Sequence, residues 1–119
     1  MNDMKKKVLI VGAGGFMGSH FAEAALQRGW EVTAGVRQST SRKYLRDERL
    51  RFAVFDFDNP DTLADTLRQN SPEGGWDYII YNLGATKALR FEDFNRINYQ
   101  YLRSFLEALK AVDKVPERF

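Results

Sequence analysis

From Lys7 to Ala13 the chain reads "KVLIVGA", a short and mostly β-branched apolar run that halts at glycine, as a strand buried on both faces does. From Phe16 the period changes. Phe21, Ala22, Ala25 and Leu26 share one helical face and His20, Glu23 and Gln27 the opposite one. Gly29 then stands where a helix favours a residue of positive φ. "EVTAGV" (31–36) and "LRFAVFD" (50–56) predict a second and a third strand. "NPDTLADTLRQN" opens a helix, with Asn59 as N-cap, Pro60 at the first helical position and Asp61 where the dipole favours an anion. Leu63 and Leu67 give its buried side, and "NSPEGG" ends it. "WDYIIYNLG" predicts a fourth strand. A long helix from about Phe91 to Ala111 follows, with Phe94, Ile97, Tyr101, Phe105 and Leu109 at helical spacing.

The order is β-α-β, a short irregular or helical piece, then β-α-β-α. Strands alternating with helices imply an α/β fold, a doubly wound parallel sheet with right-handed crossovers and expected strand order 3-2-1-4. There is no internal repeat, low-complexity tract or linker. A chain of 119 residues, 44% apolar, makes one domain with a real core.

The first strand-to-helix turn, "IVGAGGFMGSH", carries the candidate chemistry. Gly12, Gly15 and Gly18 are spaced by three, and Phe16 and Met17 fill the positions before the last of them. Gly12 lets the chain leave the strand sharply. Gly15, lacking a Cβ, allows a pyrophosphate to approach the backbone. Gly18 lets the helix lie close to the sheet. The N–H groups of the first helical turn then face the phosphates with the helix dipole behind them. The spacing is not G-x-G-x-x-G, which would need glycine at Met17, and no Gly-Lys-Ser/Thr follows to make a P-loop.

Charge changes this picture only locally. The formal net charge is +2, but Arg37, Arg42, Lys43, Arg46, Arg49 and Arg51 crowd one region against Asp47 and Glu48. Lys5, Lys6 and Lys7 read as a solvated surface. There is no cysteine, which excludes disulfides and thiolate zinc sites, and one histidine, which argues against a histidine metal site. The run Val8–Val11 is too short for a secretory core, and no segment suits a bilayer span, so a soluble cytoplasmic protein is expected.

"VGAGGFMGSH" resembles the T-G-x-x-G-x-x-G turn of the extended short-chain dehydrogenase/reductases, the NAD(P)-dependent epimerase/dehydratase family, with Val11 in place of the usual threonine. The resemblance runs the length of the chain. "FDFDNPDTL" is similar to the family's "GDLTDPESL", "DYIIYNLGA" to its "DVVIHLAA", and "NYQYLRSFLEAL" to its "NVxGTxNLLEA" helix. It implies a Rossmann-like sheet and a dinucleotide cofactor. At the end of the second strand, where NAD-specific sites place a carboxylate, this chain has Val36, then Arg37 and "QSTSRK". A guanidinium grips a 2′-phosphate that a carboxylate would repel, so NADP is expected over NAD, with Arg37 as the specificity residue. By resemblance, Asp56 accepts from the adenine amino group and Phe57 lines the adenine. Leu83, Gly84 and Ala85 pass beneath the ribose and pyrophosphate. Asp56 as a strand-end cap is the alternative. Asn98 either shapes the active site or is a buried structural amide, and His20 receives no role.

Reductases and epimerases that this chain resembles carry a Tyr-x-x-x-Lys pair. Four residues after Tyr44, Tyr78, Tyr81, Tyr99 and Tyr101 stand Glu48, Asn82, Ala85, Arg103 and Phe105, so the pair is not in this chain. The resemblance therefore implies the N-terminal part of a longer enzyme, truncated before the fifth strand and inactive alone, whose small-molecule substrate is met only by the full-length protein. A non-catalytic NADP-sensing domain and a flavin-binding domain are the competing readings. No nucleic-acid or membrane partner is expected. Self-association is, through the fourth-strand edge or the 91–111 helix.

Overall fold

The computed structural model describes residues 6–14, 16–38, 45–72, 75–82 and 100–112. Four parallel strands, β1 (Lys7–Val11), β2 (Glu31–Val36), β3 (Arg51–Val54) and β4 (Tyr78–Tyr81), form one sheet in the order β3-β2-β1-β4. This is the order expected from the sequence. Helix α1 (Phe16–Gln27) covers one face; α2 (Leu63–Asn70) and α3 (Tyr101–Ala111) cover the other.

β1 is central because both of its faces are apolar. Val8 and Ile10 pack with Ala22, Ala25 and Leu26 of α1. Leu9 and Val11 meet Leu63 and Leu67 of α2 and Phe105 and Leu109 of α3. Period-2 alternation thus feeds two cores from one strand, and every residue from Val8 to Val11 is buried. Phe105 is the hub of the α2/α3 side, edge-on to Phe55 at 5.7 Å and tilted against Tyr81 at 5.6 Å. At the foot of the sheet Asp77 ties β4 to β1 twice: its amide donates to the Lys7 carbonyl at 2.7 Å, and its carboxylate accepts from the Lys7 amide at 2.8 Å.

The end of α1 follows from its glycine. Gly29 has φ of +78°, its amide donates to the Leu26 carbonyl, and the Trp30 amide reaches back to Ala25 at 3.1 Å. This is the paired 6→1 and 5→2 closure of a Schellman motif, which satisfies carbonyls that a helix end leaves open.

Three boundaries differ from expectation. β3 and β4 are shorter than the apolar runs predicted; after β3 the chain turns at Phe57 and Asp58. The segment after Asn59 begins as a 3-10 turn, Pro60–Thr62, and becomes α-helix only at Leu63. Asn59 makes no side-chain cap; its side-chain amide nitrogen instead donates to the Asp56 carboxylate at 2.6 Å, a charge-assisted bond. Of the long helix, the described part is Tyr101–Ala111. Among the described residues no helix is long and apolar enough to cross a membrane.

Candidate functional site

The C-terminal ends of the strands converge on one side of the sheet, where ligands of doubly wound folds bind. The turn after β1 is built first. Gly12 takes a φ of +84°, and its amide and that of Ala13 donate to the Gly35 carbonyl of β2 at 2.9 and 3.3 Å. The turn is thereby pinned across the sheet. Gly18, in the first turn of α1, faces it so closely that a Cβ there would lie 2.3 Å from the Gly12 carbonyl oxygen and 2.8 Å from the Ala13 Cα. Only glycine permits that approach. The N-terminus of α1 therefore sits directly over the end of β1, with no acidic side chain in its first turn. The amides of Phe16, Met17 and Gly18 open that helix, where N–H groups have no intrahelical acceptor, and the Met17 side chain is 53% exposed.

Gly35 is a glycine that sequence reasoning passed over. A Cβ on it would meet Phe55 Cε2 at 3.1 Å and the Ile10 carbonyl and Val11 Cα at 3.2 Å. The signal was present, since a glycine inside a strand marks close backbone approach.

The end of β2 delivers Arg37 and Gln38, both exposed, to a cavity of about 240 Å³. Asp56, Phe57, Asp58 and Tyr101 line its other side. The structure thus brings Arg37, Asp56 and Phe57 together from separate strand ends. The basic cluster around them divides. Arg49 is held by both carboxylate oxygens of Asp47, at 3.0 and 2.8 Å, and the guanidinium beside it draws the Asp47 carboxyl down to about 2. Arg51 lies 3.6 Å from Glu31. Of the described members of the group, Arg37 lines this cavity.

Asp56 organises the turn leaving β3. One of its oxygens accepts from the Asp58 amide at 3.2 Å and the other from the Asn59 side chain at 2.6 Å. The strand-end cap weighed from the sequence is therefore a geometric fact, and the carboxylate is also exposed and at the cavity. Phe57 is 4% exposed, its ring stacked on Tyr101 at 5.1 Å, so it serves the core while flooring the cavity. Tyr101 in turn donates its hydroxyl to Asp58 at 2.6 Å. Sequence reasoning placed Tyr101 only on the apolar side of a helix and did not foresee this bond. Tyr81, at the end of β4, has its phenol pushed well above the ordinary tyrosine range by burial, with Tyr101 adding to the effect and Arg37 opposing it.

Gly15, Leu83, Gly84, Ala85 and Asn98, and the Phe16 side chain, lie outside the described residues. His20 is on the exposed face of α1.

The chain has relatives among known proteins. The ceramide reductase of Caulobacter vibrioides (strain NA1000 / CB15N) is 33% identical over 109 residues, which cover 92% of this chain and 32% of that protein. The chain thus spans about a third of the length of the curated relative it matches. UDP-glucose 4-epimerase of Thermus thermophilus, solved in complex with NAD, superposes with a TM-score of 0.73 at 22% identity, over 91% of this chain and 35% of that one. The Bordetella bronchiseptica enzyme WbmG, in complex with NAD, gives 0.76 at 17% identity, over 94% and 36%. At those identities the two structures share the fold. A family model described as the NAD dependent epimerase/dehydratase family matches residues 8–119, nearly all of the sequence. On that match, joined to the parallel 3-2-1-4 sheet and the glycine turn, the chain belongs to the NAD dependent epimerase/dehydratase family.

Proposed function

We propose that residues 1–119 are the cofactor-binding domain of an NAD(P)-dependent oxidoreductase or sugar-nucleotide-type epimerase/dehydratase, with the dinucleotide lying along the C-terminal ends of β1, β2 and β3. The observation that carries this reading is the contact between Gly18 and the Gly12 carbonyl. It sets the start of α1, with its open amides and positive dipole end, over the crevice, where a diphosphate is favoured. The cavity bounded by Arg37, Asp56 and Phe57 suits an adenosine moiety. The relatives support it too: the two solved structures are complexes with NAD, and the curated relative is a reductase.

Within this reading NADP is preferred. The segment after β2 offers Arg37 and no carboxylate, and a guanidinium pairs with a phosphate through two parallel hydrogen bonds. The NAD complexes of the solved relatives speak for the dinucleotide class, at identities that carry no specificity. In this proposal Gly12 shapes the turn, Gly15, Phe16, Met17 and Gly18 hold the pyrophosphate, and Leu83, Gly84 and Ala85 flank the nicotinamide half. A bound nicotinamide supplies hydride transfer; the residues of this chain bind and orient it. Since no Tyr-x-x-x-Lys occurs in these residues, they are assigned binding without turnover.

Calorimetric titration of the chain with NADPH, NADH and FAD tests the proposal. NADPH should bind most tightly and NADH more weakly. Silence with all three at millimolar ligand would refute dinucleotide binding, and FAD as the tightest ligand would replace it with a flavin site.

A further inference from the structure

We infer that Tyr101 is a positioning residue that sets the preference of the site for a phosphorylated ribose, by holding back the carboxylate of Asp58. The inference rests on the dinucleotide reading above and deepens it. The cavity at the ends of β2 and β3 carries a guanidinium, Arg37, and two exposed carboxylates, Asp56 and Asp58, two residues apart on one turn. A ligand phosphate drawn to Arg37 is opposed by both carboxylates, at the range of a few ångströms to one Debye length over which charges act.

The two carboxylates are restrained differently. Asp56 is engaged within its own turn, by the Asp58 amide and the Asn59 side chain. Asp58 receives a hydrogen bond from another element: the Tyr101 hydroxyl of α3, 43 residues away in sequence, at 2.6 Å. The ring beneath that hydroxyl is fixed. Tyr101 is 5% exposed and stacks on Phe57 with 23° between the planes. A buried ring that aims its one donor at a carboxylate on a cavity wall orients that carboxylate and disperses part of its charge. With the hydroxyl gone and the ring kept, Asp58 is free to swing and presents its full charge to the cavity.

Two probes that differ only by the relevant group, 5′-AMP and 2′,5′-ADP, read this out. The ratio of their dissociation constants isolates the 2′-phosphate. In the wild-type chain 2′,5′-ADP should bind more tightly. Tyr101→Phe preserves the stack on Phe57 and should cut that preference roughly twofold to fivefold, the size of one exposed charge interaction, while 5′-AMP affinity stays within about twofold. Asp58→Asn should restore or raise the preference, and in the Asp58→Asn background Tyr101→Phe should have no further effect on it. The loss in Tyr101→Phe should also shrink at high salt.

A structural role alone would weaken both probes equally, would lower the melting temperature in step, and would persist beside Asp58→Asn; that pattern overturns the inference. An unchanged ratio in Tyr101→Phe overturns it as well, and leaves the dinucleotide reading standing. A wild-type chain that binds 5′-AMP without any gain from the 2′-phosphate removes NADP preference and this inference together. One that binds neither probe removes the dinucleotide reading itself.

Discussion

A β-carbon on Gly18 would lie 2.3 Å from the carbonyl oxygen of Gly12, well inside any tolerated contact. Because the obstructing atoms are backbone, no side-chain rotation relieves the clash, and α1 must shift away from β1. Gly18→Ala is therefore expected to lower stability by about 1–3 kcal/mol, as overpacking does. It should weaken NADPH binding as well, because the displaced amides no longer face the ligand. Chemical denaturation and calorimetry on the same sample check both parts; a variant of wild-type stability would mean that the helix is not pressed on the turn.

Arg37→Ala should separate the two cofactors. A charge-assisted bidentate pair contributes about 1.5–3 kcal/mol, so NADPH affinity should fall about tenfold to a hundredfold. NADH, without the 2′-phosphate, should lose less than about threefold, the worth of one exposed contact. Equal losses would return Arg37 to the solvated surface and leave the cofactor preference without its residue.

Tyr81 predicts an alkaline instability with a definite sign. Burial raises its pKa in the folded chain above the unfolded value near 10. The stability it contributes is complete below that unfolded value and is lost as pH climbs from there toward the folded one, because only the unfolded chain ionises in that window. Denaturant midpoints should therefore fall between pH 9 and pH 11, values that bracket the onset at about 10. In Tyr81→Phe the fall should be smaller. Parallel slopes for the two proteins would assign the alkaline loss to other tyrosines.

Self-association is the expected behaviour of the isolated chain. β4 is an edge of the sheet, and on α3 the Leu106 side chain is 37% exposed beside the half-buried Leu102, Arg103 and Glu107 lying alongside. An apolar edge and an apolar helix stripe are both surfaces that a second copy can cover. Sedimentation velocity across a concentration series should show a dimer. Leu106→Lys should return it to monomer if the helix stripe is the interface, and leave it unchanged if the β4 edge is. A monomer at every concentration would contradict the prediction.

The fold was legible because its signals are local. β1 announces itself as an unbroken apolar run, α1 by its 3.6-residue period, and the end of α1 by Gly29, each within a window of a few residues. The turn at Gly12 and the buried pair Leu63 and Leu67 are of the same kind. Missing from the sequence reading were relations across long separations. Nothing near Tyr101 signals that its hydroxyl reaches Asp58, and nothing near Arg51 says that Glu31 lies beside it while Arg37 lines the cavity. Asn59 shows the complementary case. Its local signature was that of a helix cap, yet its side chain makes no cap bond and instead donates through its amide nitrogen to a carboxylate three residues earlier.

The Gly35 carbonyl has one more implication. By accepting from Gly12 and Ala13 together it divides the glycine loop into two stretches of different duty. Upstream, those two amides serve as anchorage to the sheet, so in the proposed binding mode an incoming anion is left to donors further along the loop. The second strand thereby sets the shape of a loop that belongs to the first, and a lesion near the end of β2 would, in the proposed mode, be felt at the diphosphate through that loop.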